Sequence, residues 1–479
     1  MCKRQSISIV LILLLVLMLI SCHGNLTVKW WTSTQSKQWE EQRNILLEPA
    51  DSFANFDAEI FTDSIQQKIE GFGGCFNELG WDALSRLDEI QREQVLKMLF
   101  SPDIGLKFNI CRMPIGANDF SDGYYSLDDS VNDFSLEYFN IERDKKALIP
   151  YIKSALHYQK HLKIWGSPWT PPAWMKINGN YACTKSKNNN FNPDIQGKEG
   201  SDLIRNNDTI LRAYAKYFTK YIKAYKEEDI EIYAIQVQNE FNSCQIFPSC
   251  TWSSSTLVKF IGDFLGPQFE KDRVNTDIWL GTIERPDIKN IDTILNNEKC
   301  KNYIKGLGFQ WAGKGGVDSA RIKYPSLELM ETENECGNGS NDWKAAESTF
   351  GLMKKYFNSG VNSYMYWNMI LDKTGKSHWG WKQNSLITIN TKDRRVFYNP
   401  EYYLFKHFTN FIKPGSVKVL SKGKFEDILA FITPGNDLII VVANTSPMPK
   451  IIRIKISNKL IETTIPKNSF STFVYFNAI

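Results

Sequence analysis

Histidine is scarce, with five in 479 residues. No Cys/His spacing matches a zinc site, so neither a metal cluster nor a cofactor is expected. Charge is massed nowhere: 57 Lys and Arg face 53 Asp and Glu, a net +4. Without a basic block there is no reason to expect nucleic-acid binding. Internal repeats and low-complexity linkers are missing too. Beyond the first 22 residues, no run is apolar enough over enough length to span a bilayer. The phosphate turn of an open dinucleotide-binding sheet is also absent. Gly71-Phe72-Gly73-Gly74 lacks GxGxxG spacing and reads as a tight strand exit.

What is present begins with a leader-like segment. Lys3 and Arg4 precede an apolar run from Ile7 to Ile20 that closes at Ser21-Cys22. The run is short for a membrane span and suits the apolar region of a signal peptide. Leu19-Ile20-Ser21-Cys22 also resembles a bacterial lipobox, in which Cys22 would carry a lipid and tether the chain to a membrane. The ordinary reading is a signal peptide with a Cys near its cleavage site. Either way the chain is expected to be exported, secreted or held at the cell surface. Seven cysteines follow Cys22, an odd number, so at least one is unpaired. Cys244 and Cys250 flank QIFPS and are placed to close a small loop disulfide, whereas Cys75 and Cys111 read as buried thiols.

The body of the chain alternates. Eight short apolar runs read as strands: 68–74, 107–116, 162–169, 231–240, 277–284, 303–311, 327–334 and 361–369. Helical spacing separates them. Ile210, Leu211, Tyr214, Phe218, Tyr221, Ile222 and Tyr225 form one apolar face, and Phe350, Met353 and Phe357 another, closed by Gly360 as a C-terminal cap. Eight strands alternating with helices predict an α/β fold of the (β/α)8 TIM-barrel type. The C-terminus changes character, with six short Val/Ile/Phe-rich runs between 416 and 476 parted by turn signals. These predict an all-β sandwich. KWWT (29–32), NILLE (44–48) and AEIFT (58–62) read as strands that join it. The expected organisation is a leader over 1–22, N-terminal sandwich strands over 23–62, a catalytic barrel over 63–412 and the rest of the sandwich over 413–479.

Barrel chemistry sits where strands end. Glu240 closes IYAIQVQNE and Glu333 lies in LELMETEN, so both stand near a barrel mouth. Two carboxyl groups suit cleavage of a glycosidic bond. One protonates the departing oxygen, and the other meets the charge that develops at the anomeric carbon. Proximity would raise the pKa of the acid, and capture of its neighbour as an ester would free it to act as a base. Asn239 can hydrogen-bond a sugar 2-hydroxyl. Strand alternation puts Glu331, Glu333 and Glu335 on one side, so periodicity does not choose among them, and Glu284 also competes.

The segments GFGGCFNELG, NICRMPIGANDFS, SPWTPPAWMK, IQVQNE, METENECGNG, MYWNM and HWGWKQNS, in that order, resemble the glucosylceramidase family, glycoside hydrolase family 30. The resemblance implies a retaining β-glycosidase with Glu240 as acid/base and Glu333, after Thr332, as nucleophile. Glu335 is the second choice for the nucleophile. The resemblance further implies that Arg112 orients the nucleophile and Asp119 binds distal sugar hydroxyls. Phe120, Asn239, Gln310, Trp311 and Asn384 are implied as further pocket residues, with Trp169 and Trp367 as aromatic walls. One departure stands out: Ala312 follows Gln310-Trp311 where the mammalian pattern has Tyr, which alters leaving-group recognition. The motif wording is closer to microbial members, so a β-1,6-linked glucan or gluco-oligosaccharide is the expected carbohydrate partner. The alternatives are a secreted or lysosomal glucosylceramidase, and a catalytically silent glycan-binding protein on the same fold.

Overall fold

The computed structural model describes residues 27–50, 55–187, 189 and 191–478. The expected leader, Cys22 and its lipid tether lie outside the described residues. The chain divides into two compact units, one running up to Lys68 and resuming at Phe411, the other spanning Ile69–Asn410.

The larger unit is built on a closed barrel of eight parallel strands in sequential order. They are β1 (Gly71–Cys75), β2 (Ile110–Pro114), β3 (Lys163–Ser167), β4 (Ile232–Gln236), β5 (Asp277–Ile283), β6 (Ile304–Gln310), β7 (Glu328–Glu333) and β8 (Ser363–Asn368). Each falls within or overlaps one of the eight apolar runs, and the TIM-barrel reading holds. Ile110, Trp165, Ala234, Trp279, Met330 and Met365 pack together from six different strands, so the barrel is filled by side chains rather than hollow. The two helices read from periodicity are Asp208–Glu227 and Trp343–Asn358. Asn207 and Asp342 cap them by accepting the N–H groups of Ile210 and Ala345. The second ends where Gly360 takes φ +97°, a left-handed conformation that costs glycine little. A small three-stranded sheet of Ile370–Asp372, Ile387–Asn390 and Arg395–Tyr398 follows β8. It was not foreseen, and it carries the Trp379–Asn384 loop.

The smaller unit is all β. Its core is drawn from both chain segments, including Val28, Ala58, Ile60, Val419, Ile440, Ile454 and Phe473. Pairing is antiparallel throughout except between Ala58–Lys68 and Lys450–Ile456, which run parallel. Strand Ala58–Lys68 continues past residue 62, where the sequence reading ended it. Its second half, TDSIQQK, is polar and largely exposed, so hydropathy gave no reason to extend it. Main-chain pairing continues regardless, as far as Lys68 opposite Val417.

Candidate active site

At the C-terminal ends of the barrel strands one cation organises the polar groups. Arg112, at the centre of β2, is fully buried. Its Nη1 donates to Glu333 Oε2 at 2.9 Å and its Nη2 to Asn239 Oδ1 at 2.7 Å. Ser167, the last residue of β3, accepts from Nε and Nη2 at 3.1 and 3.0 Å. The guanidinium also lies 4.3 Å from the centre of the Trp169 ring, with Trp165 and Trp367 slightly farther. A buried charge held on every side is costly to displace, so β2, β3, β4 and β7 share one rigid register at their ends.

The two carboxyl groups meet on Gln310. Its Nε2 donates to Glu240 Oε1 at 3.0 Å and to Glu333 Oε2 at 3.3 Å. Two oxygens bound to one nitrogen lie at most about 6 Å apart. That is below the roughly 6.5–9.5 Å that inverting glycosidases need for a water between their carboxyls. Glu333 Oε1 accepts from Trp311 Nε1 at 3.1 Å, and its backbone N–H donates to Glu331. Glu240 has φ +51°, and Trp311 has φ +48°. Left-handed backbone at residues with a Cβ is unfavourable and persists only where neighbours enforce it.

Burial and charge then separate the two groups. Burial, then the neighbouring Glu333 charge, push Glu240 up to about 7. Burial raises Glu333 as well, but Arg112, Trp311 and Gln310 all pull it back by stabilising its anion. The arrangement keeps a proton on Glu240 near neutrality while favouring a carboxylate at Glu333. Asp119 is raised well above its ordinary value by burial and by Glu333.

A cavity of about 490 Å3 opens over this pair, lined by Asp119, Trp169, Asn239, Trp311, Ala312 and both carboxyls, among others. A larger depression of about 740 Å3 lies at the start of β5, away from the converging carboxyls. In a barrel that face concerns stability, not chemistry.

Not every expected residue faces the cavity. Phe120 and Trp367 are fully buried and lie outside its lining, with Phe120 edge-on to Trp367 and Trp367 against Trp169. They form the wall behind the wall. Asn384 is likewise buried: it donates to Glu401 and accepts the N–H groups of Gly339 and Asn341, so it shapes a loop rather than lining the pocket. Gln310 is buried beneath the pair as their bridge. Glu335 pairs with Lys314 at 2.6 Å and is outside the cavity lining. Cys244 and Cys250 are not joined and both remain thiols; the Cys244 thiol instead lies beside that of Cys183, which is also free. Sequence reasoning missed Ser167, Thr282, Phe247, Arg285 and Trp381. Ser167 and Thr282 lie inside two of the apolar runs, and the other three sit on loops that carried no signal.

The model of the glycosyl hydrolase family 30 TIM-barrel domain matches residues 69–412, and that of the family's β-sandwich domain matches 415–473. The chain belongs to glycosyl hydrolase family 30. It is therefore a glycoside hydrolase acting with retention on β-glycosidic bonds, and the silent-binder alternative is set aside. A Caenorhabditis elegans protein with a provisional glucosylceramidase name is 29% identical over 82% of this chain and 76% of its own. Endo-1,6-beta-D-glucanase neg1 of Aspergillus fumigatus is 26% identical over 79% of each. SrfJ from Salmonella typhimurium shares the fold with a TM-score of 0.85, covering 94% of this chain and 99% of its own at 24% identity.

Buried carboxyls inside and outside the site also set a pH dependence of stability. Burial pushes Asp144 up to about 6, Glu401 and Glu240 to about 7, and Glu284 to about 8. Unfolded carboxyls titrate near 4, so the folded state binds these protons more tightly. The resulting stabilisation is present at low pH and is lost as pH rises through about 6 to 8. His407, held down to about 3, acts in the opposite sense, but only below its unfolded value of about 6.5. The thermal midpoint should therefore fall between about pH 6.5 and pH 8. Scanning calorimetry checks this, and a rising midpoint would contradict it.

Proposed function

We propose that this enzyme hydrolyses β-1,6-linked glucan or gluco-oligosaccharides, with Glu240 as acid/base and Glu333 as the nucleophile that forms a glycosyl ester. In the first step Glu240 gives its proton to the leaving oxygen while Glu333 attacks the anomeric carbon. Esterification removes the Glu333 charge, so Glu240 can then take a proton from the incoming water. Arg112 and Trp311 hold the attacking carboxylate. Asn239 Oδ1 is taken up by Arg112, Gln310 and Thr282, which leaves its amide –NH2 for a sugar hydroxyl.

The substrate reading is carried by the cavity rim. Phe247 and Trp381 stand ring to ring at 5.0 Å, set among Gln245, Arg285, Lys382 and Gln383. Aromatic faces beside amides and cations suit a second sugar ring, which stacks and hydrogen-bonds at once. Acyl chains would strand those polar groups without partners. Relatives bearing either name are similarly distant, so glucosylceramide is the competing substrate. Product analysis on β-1,6-glucan, gentiobiose and glucosylceramide tests the choice. Turnover of the glucan and gentiobiose is expected, with Trp381→Ala raising KM for the glucan by roughly tenfold. A higher kcat/KM on glucosylceramide would overturn the reading. Export, with a lipid on Cys22, is proposed from the basic flank and apolar run of Ile7–Ile20, and the intact mass of the native N-terminus tests it.

A further inference from the structure

The turn that carries Glu240 is held from one side by two residues of the β5 end. Thr282 donates its N–H to Gln238 O at 2.9 Å, and its Oγ1 donates to Asn239 Oδ1 at 2.8 Å while accepting the N–H of Glu240 at 3.1 Å. Two residues beyond, Glu284 Oε1 accepts the N–H of Asn242 at 3.1 Å. Glu240 thus sits between two anchored peptide groups, in a left-handed conformation that an unanchored turn would relax.

Glu284 is an unusual choice for such an anchor. It is 1% exposed, and its second oxygen, Oε2, is buried without a protein partner. A carboxylate stranded in this way costs more than a neutral carboxyl, whose Oε1 still accepts the Asn242 N–H. Burial and the charge of Glu240 push its pKa up to about 8, against the opposing pull of Arg285. A neutral group beside Glu240 also adds no repulsion when Glu240 itself ionises to act as base.

We propose that Glu284 and Thr282 are positioning residues that aim the Glu240 carboxyl at the leaving-group oxygen. The inference rests on Glu240 being the acid/base. Neither residue is expected to touch the sugar, and neither aims Glu333, which is fixed from β2 and β6. A loss of aim should therefore appear only where proton donation matters.

The test compares phenyl β-glucoside, whose leaving group needs a proton, with 2,4-dinitrophenyl β-glucoside, whose leaving group departs without one. Glu284→Leu is expected to lower kcat/KM on the phenyl substrate by roughly ten- to hundredfold and on the dinitrophenyl substrate by less than about threefold. Glu284→Gln, neutral and of the same shape, is expected to restore the phenyl activity. Thr282→Val removes a hydroxyl that also holds Asn239, so a small loss on both substrates is expected with a clearly larger one on the phenyl substrate, which keeps the test open if Glu284→Leu fails to fold. Equal losses on both substrates, or none, in the folded variants would overturn the proposal. If Glu240→Gln itself lost both substrates equally, the acid/base assignment would fail instead. Selective loss in Glu240→Gln but not in the β5 variants would sink this inference alone.

Discussion

Glu333→Gln is expected to lower kcat by roughly four orders of magnitude or more on every β-glucoside, whatever its leaving group. The amide cannot form the glycosyl ester, so both steps of the double displacement are lost together. Geometry should survive: with its amide oxygen in the place of Oε2, Gln still accepts from Arg112 Nη1 and Gln310 Nε2, which lie 2.9 and 3.3 Å from that oxygen in the wild type, and gives up only the Trp311 bond on the Oε1 side. It does leave the buried Arg112 charge without its anion, so some loss of stability is expected alongside the loss of rate. Trapping gives a readout independent of rate. A 2-deoxy-2-fluoro glucoside with a good leaving group should add one sugar mass to the peptide containing Glu333 in the wild type and none in the variant. A label on Glu335, or substantial activity in Glu333→Gln, would move the nucleophile two residues past the end of β7.

That choice marks the boundary of what the sequence made legible. The barrel could be read because each strand is an apolar run between turn signals, and the runs stand in the order in which the strands pair. Glu240 could be read because it closes such a run behind Asn239. Alternation on β7 assigns Glu331, Glu333 and Glu335 to one side and gives no depth. Depth separates them in the fold. Glu331 is buried below and accepts the N–H groups of Glu333 and Met365, whereas Glu335 reaches outward to Lys314. Burial pushes Glu331 well above the ordinary carboxyl range, while its two backbone N–H partners and its place outside the cavity lining make it an anchor rather than a reacting acid.

The remaining differences between expectation and structure concern residues whose partners come from distant loops. Asn384 was expected in the pocket, but Glu401, from the helix Pro400–Thr409, captures it. Cys244 was expected to face Cys250, its near neighbour in sequence, yet the backbone of Gln245 pairs with that of Cys183 and brings the more distant thiol alongside. Phe120 and Trp367 have the composition of a sugar platform, but Trp367 packs against Trp169, and Phe120 packs against Trp367. The rim, with Phe247 and Trp381, lies on long loops with no periodicity to place them. Composition names the residue types of such a site, and only packing decides which of them touch the ligand.

Glu240→Gln should separate the two half-reactions, and its effect should depend on the substrate. With phenyl β-glucoside or β-1,6-glucan the leaving oxygen needs a proton, and loss of the acid is expected to cost about a hundred- to ten-thousandfold in kcat/KM. With 2,4-dinitrophenyl β-glucoside the first step proceeds without help, so the ester on Glu333 should accumulate. Its hydrolysis still needs Glu240 as base, and the expected signature is a burst of dinitrophenolate followed by slow turnover, with KM lowered as the ester builds up. A small anion such as azide needs no base and should restore turnover, giving the β-glycosyl azide. The alkaline limb of the wild-type profile, set by the proton held to about 7, should also vanish in this variant. Retention of that limb, or an equal loss on both substrates, would show that another group donates the proton. Glu284, buried beside Glu240 and holding its own proton to about 8, would then be the first residue to examine.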